Sequence, residues 1–131
     1  MMSRLLPLLL FLPVFIWSQN QSTFEIKTVA FYNVENLFDT HNDTLTFDDD
    51  RTPDGKDQWT LDRYQHKLNQ LAKVLSEVGR TVSKTSPDII GLCEVENKQV
   101  LEDLIHHEQL LSQDYGIVHF DSPDERGIDV A

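Results

Sequence analysis

Cations, cysteines and long apolar runs are all scarce in this 131-residue chain. Only 11 Lys and Arg stand against 22 Asp and Glu, giving a formal net charge of −11. So few basic residues leave no broad electrostatic footprint for nucleic acid, whose binding rests on neutralising phosphates. Any chemistry on nucleic acid must therefore be confined to a local site, with metal ions offsetting the negative charge. The single cysteine, Cys93, excludes an intramolecular disulfide and with it a disulfide-stapled secreted miniprotein. Placed in an apolar run, it reads as a buried, inert thiol. The longest uncharged apolar stretch, residues 5–17, has thirteen residues and contains Pro7 and Pro13. That is too short for a helix spanning a ~30 Å hydrocarbon core. Arg4 before it and Ser18 after it complete the pattern of a secretory signal peptide over residues 1–18, so the protein is expected to be exported, with no membrane span once the signal is removed. A composition with 40% hydrophobic and 25% charged residues is ordinary for a globular protein, and the length allows one domain.

After the signal, residues 24–34 are rich in β-branched and aromatic side chains and read as a strand. The near-continuous apolar stretch Val29 to Tyr32 predicts burial on both faces. Residues 39–57 hold seven Asp with Pro53 and Gly55, which predicts an exposed acidic loop. Tyr64, Leu68, Leu71, Leu75, Val78 and Val82 then recur at alternating spacings of four and three, one stripe of an amphipathic helix that opens at Leu61 behind a Thr60 cap. Pro87 bars its continuation. A buried-type strand follows at residues 89–93. A second helix, capped by Asn97, is expected to turn Val100, Leu101, Leu104, Ile105 and Leu111 inward. Residues 116–120 read as another strand, and residues 126–131 begin one more. Alternating strands and helices predict an α/β fold.

The acidic loop does not fit an EF-hand. Counting from Asp50 places Thr52, Asp54 and Gly55 correctly, but Leu61 stands where the bidentate Glu is required. The five histidines, His41, His66, His106, His107 and His119, show no zinc-motif spacing, so surface or packing roles are the default. The informative pattern lies elsewhere. Two buried-type strands end in polar residues, one in Asn33 and the other in Glu94. Parallel strands joined by a crossover helix present their C-terminal ends on one sheet edge, where open α/β sheets bind ligands. Asn33 and Glu94 are then expected close together, either as hard oxygen donors suited to Mg²⁺ or as strand-end groups that satisfy backbone amides.

Residues 28–39 (TVAFYNVENLFD), 87–97 (PDIIGLCEVEN) and 126–131 (RGIDVA), with the loop at residues 51–60, resemble the endonuclease/exonuclease/phosphatase superfamily, in particular its exported bacterial members. The resemblance implies a four-layer α/β/β/α sandwich, of which residues 24–131 would be the N-terminal part. It also implies metal-dependent cleavage of phosphate esters, with Mg²⁺ as cofactor and Mn²⁺ or Ca²⁺ as alternatives, on a substrate class that includes nucleic acid. Carried onto this chain, the active-site Asn falls on Asn33 and the metal-ligand Glu on Glu94, with Asn33 beside the ion. Arg126 and Asp129 fall at the substrate border. The family's later Asp-x-Asn and Asp-His motifs do not occur here. The expectation is therefore an exported phosphodiesterase of nuclease type that is inactive as this fragment. Phosphomonoesterase, phospholipid phosphodiesterase and non-catalytic exported binding protein are the alternatives.

Overall fold

The structure, a computed structural model, describes residues 24–131. The signal peptide expected at residues 1–18 lies outside the described residues. In chain order the elements are β1 (Val29–Leu37), α1 (Leu61–Glu77), α2 (Arg80–Ser83), β2 (Ile89–Val95), α3 (Lys98–Ile105) and β3 (Asp129–Val130). Short 3-10 turns occupy Asp49–Arg51 and Leu111–Gln113. The fold is α/β. Central β2 pairs in parallel with β1, from Val29↔Ile89 to Asn33↔Cys93, and antiparallel with β3 through Cys93↔Val130 and Val95↔Asp129. As expected, α1 lies in the crossover between the parallel strands.

Four residues of the predicted stripe, Tyr64, Leu68, Leu71 and Leu75, are buried. They join Val34 and Leu37 of β1, Leu92 and Val95 of β2, and Val100, Leu101 and Leu104 of α3 in one hydrophobic core. The Tyr64 hydroxyl donates to Asp103 at 2.7 Å and links the two long helices. No helix among the described residues is long and apolar enough to cross a membrane.

The sheet is covered on one face only, contrary to the two-sided burial expected of β1. Val29 and Phe31 are 74% and 73% exposed, because alternate residues of a strand point to opposite faces and no described element covers theirs. The long helix also ends earlier than its stripe suggests. Gly79 adopts a left-handed conformation (φ 72°), a natural helix stop, so Val82 lies in the separate turn α2 and is exposed. Thr60 precedes α1, but its hydroxyl makes no capping bond, whereas the Asn97 side chain accepts the Val100 amide as expected.

Residues 116–120 do not form a strand; only Phe120 makes a bridge, with Val130. Leu110, not Leu111, turns into the core, because the chain leaves helical geometry after Ile105 and shifts the phase by one residue. Within the largely exposed acidic loop, Asp48 is buried and accepts the Asp43 amide at 2.9 Å. Cys93 is half-buried rather than fully buried, its thiol facing the Tyr32 carbonyl.

Candidate active site

Both parallel strands lose their alternation at the same level. In β1, Val34 and Leu37 are both buried although three residues apart, and Glu35 and Asn36 between them have φ of 54° and 62°. In β2, Leu92 and Val95 show the same spacing around Glu94, whose φ is 65°. The ladder jumps from Asn33↔Cys93 to Leu37↔Val95, so β1 carries two more residues than β2 through the interval. Bulges of this kind re-aim side chains. Without one, Glu94 would point away from Asn33, since Asn33 pairs with Cys93 and successive residues alternate in direction. Left-handed backbone at three residues other than glycine costs energy, and such conformations cluster at functional sites.

The bulges bring Asn33 and Glu94 together. The Asn33 amide donates to Glu94 Oε1 at 2.9 Å, and Asn33 Oδ1 accepts the Glu35 N–H at 2.6 Å. The amide is held at both ends, and it holds one carboxylate oxygen. Lys67 of α1 reaches the same place, with Nζ donating to the carbonyls of Glu35 and Asn36, the latter at 3.4 Å. Burial holds the Lys67 ammonium below its ordinary pKa. The negative charges of Glu35 and Glu94 oppose that shift, and Arg51 adds to it. The sequence pattern does not mark Lys67, which lies off the apolar stripe. Its place on the flank of the Tyr64–Leu71 stripe was the available signal.

Beside Asn33 lies a groove of about 530 Å³, lined by Trp59, Arg63, His66 and Lys67. Arg63 and Lys67 each lie 5.7 Å from the Trp59 ring centroid, within cation–π range, and the indole N–H donates to the Phe38 carbonyl at 2.9 Å. A larger cavity of about 910 Å³ sits at the other end of the sheet, between residues 24–27 and 110–118. It includes neither Asn33 nor Glu94, and it marks where the irregular 110–118 segment leaves the helical layer unfilled. The smaller groove is the one next to the polar constellation.

Arg126 is exposed and forms a two-point pair with Asp124, Nε at 3.0 Å and an η nitrogen at 2.8 Å. Asp124 raises the Arg126 pKa, and the charge of Glu94 contributes in the same direction, which places the guanidinium within the field of the site. Asp129 directs its side chain to His119 and to the Ser122 amide. Glu96, two residues beyond Glu94, is 9% exposed and accepts the Asp39 amide at 2.6 Å. It fastens the chain leaving β1 to the end of β2.

The arrangement suits a hard cation and an anion together. Glu94 Oε2 makes no hydrogen bond among the described residues and Asn33 Oδ1 keeps a second lone pair, while Lys67, Arg63 and Arg126 supply positive charge nearby. One carboxylate with an amide oxygen fits Mg²⁺, which retains waters and takes further oxygens from a phosphate. A profile of the Endonuclease/Exonuclease/phosphatase family matches residues 28–131. No curated protein and no solved structure matches the chain.

Proposed function

The chain belongs to the Endonuclease/Exonuclease/phosphatase family, whose members are hydrolases and typically depend on a divalent metal, and from that premise we propose that its Asn33 and Glu94 belong to an exported, Mg²⁺-dependent phosphodiesterase site of nuclease type. The observation that carries this reading is the Asn33–Glu94 pair, built by matched bulges at the ends of two parallel strands. In this reading Glu94 holds the ion and Asn33 fixes the carboxylate rotamer. When bound, the ion would supply positive charge against a phosphate oxygen as negative charge develops. Lys67 steadies the bulge by capping two carbonyls. Arg63 and Arg126 attract the substrate's phosphates, and the Trp59 face offers a stacking surface for a base. We also place the open face of the sheet, with Val29 and Phe31, where a second sheet of a four-layer sandwich would pack.

The test is Glu94→Gln in the full-length protein, assayed with a phosphodiester and a phosphomonoester substrate under saturating Mg²⁺. Loss of one preorganised electrostatic element should lower the rate by about 10²-fold or more. Full activity in the Gln variant would remove Glu94 as the ligand. A preference for the monoester would favour a phosphatase over a nuclease.

A further inference from the structure

A second constellation of ligand atoms lies on the other side of β2, in residues that the Asn33–Glu94 reading does not use. His119 Nε2 stands 3.0 Å from Asp129 Oδ2, and the two side chains are only 6% and 5% exposed. Asp129 Oδ1 accepts the Ser122 amide at 2.7 Å, and the Ser122 hydroxyl donates to the Ile128 carbonyl at 3.0 Å, so the carboxylate is held in a fixed frame. The Phe120↔Val130 bridge is antiparallel, which sets Asp121 opposite Asp129. His119 shares the face of Asp121, because alternate residues of an extended chain point the same way. One imidazole nitrogen and an oxygen from each of two carboxylates consequently lie within 4.8 Å of one another.

That juxtaposition is electrostatically incomplete. Like charges directly opposite across a ladder repel. Among the described residues, no Lys or Arg forms an ion pair with Asp121 or Asp129. The imidazole can offset one negative charge at most, whereas a divalent cation offsets both. The geometry points to a divalent transition-metal site made by His119, Asp121 and Asp129, separate from Glu94.

Donor chemistry selects the ion. An imidazole with two carboxylates suits Zn²⁺ or Mn²⁺, whereas Mg²⁺ and Ca²⁺ take oxygen ligands alone. Two ligands at ~2.0 Å from a tetrahedral ion stand roughly 3.3 Å apart, so the His119–Asp129 pair needs to open by only a few tenths of an ångström. Asp121 is exposed and its side chain can swing inward to complete a three-ligand set. Three protein ligands leave one position open to water or an oxygen of a bound molecule, as in catalytic rather than closed structural sites.

Calorimetric titration of Zn²⁺ into the full chain, with Mg²⁺ in large excess to occupy oxygen-only sites, tests this. The wild type should bind one Zn²⁺. Asp121→Asn and His119→Gln should each weaken that binding at least tenfold, and Glu94→Gln should leave it unchanged. Asp121 is on the surface, so its variant reports on the site without disturbing the core, and circular dichroism confirms the fold of the buried His119 variant. Wild-type affinity in Asp121→Asn, or loss of the site in Glu94→Gln alone, overturns the assignment. The readout is metal binding and does not depend on whether the chain cleaves phosphate esters.

Discussion

Glu96 has the most displaced carboxyl group of the described residues. Burial is the main cause, the charges of Asp39, Asp48 and Asp43 add to it, the Asp39 N–H opposes it, and the pKa is pushed up to about 8. A carboxyl whose folded pKa exceeds its unfolded value of 4.5 is bound to its proton more tightly in the native state. Its stabilising contribution is complete below about 4.5 and is lost as pH rises through about 8. Chemical denaturation in metal-free buffer should accordingly show stability falling from pH 5 to pH 8.5. Glu96→Gln should flatten that slope, because an amide keeps an oxygen for the Asp39 N–H but cannot ionise. A variant with the wild-type slope would assign the pH dependence to another group.

At the scale of elements, the two helix starts give a matched pair of tests. Asn97 accepts the Val100 N–H at 3.0 Å and donates to Asp39 at 3.1 Å. Thr60 occupies the equivalent position before α1 with no side-chain capping bond. Asn97→Ala should therefore cost about 1–2 kcal/mol and Thr60→Ala well under 1 kcal/mol, read by thermal or denaturant unfolding. Equal losses would mean that cap geometry does not set the difference.

The elements that were legible before folding share one property: their signal is local. The 4-3-4 spacing from Tyr64 to Leu75 marks α1, and the apolar runs ending in Asn33 and Glu94 mark β1 and β2, so the parallel pairing and the meeting of those two residues follow. Gly79 was a local signal that the longer stripe concealed. The 116–120 segment alternates as a strand would, yet only its Phe120 makes a bridge within the chain. Lys67 at the β1 bulge and the buried His119–Asp129 pair were not legible, because each depends on contacts between elements that carry no spacing of their own. The left-handed residues Glu35, Asn36 and Glu94 were hidden for the same reason, since none is a glycine.

For the molecule as a whole, charge and the open sheet face act in opposite directions. A net charge of −11 keeps copies apart, while Val29, Phe31, Phe120 and Val130 expose apolar surface on the sheet. Repulsion between surface charges is screened beyond about 8 Å at physiological salt, whereas the drive to bury apolar area is not. Sedimentation velocity of the full chain should show self-association rising with both protein and salt concentration. Phe31→Ser combined with Phe120→Ser should reduce it. Association unaffected by both substitutions would place the contact elsewhere.

Trp59 is the only tryptophan among the described residues, and its ring centroid lies 5.7 Å from both the Arg63 and the Lys67 cation at the edge of the Asn33 groove. Indole emission responds to charge near the ring. An anion entering the groove and neutralising those cations would thus change the colour and intensity of the protein's own fluorescence, an intrinsic optical gauge of occupancy that needs neither turnover nor a label.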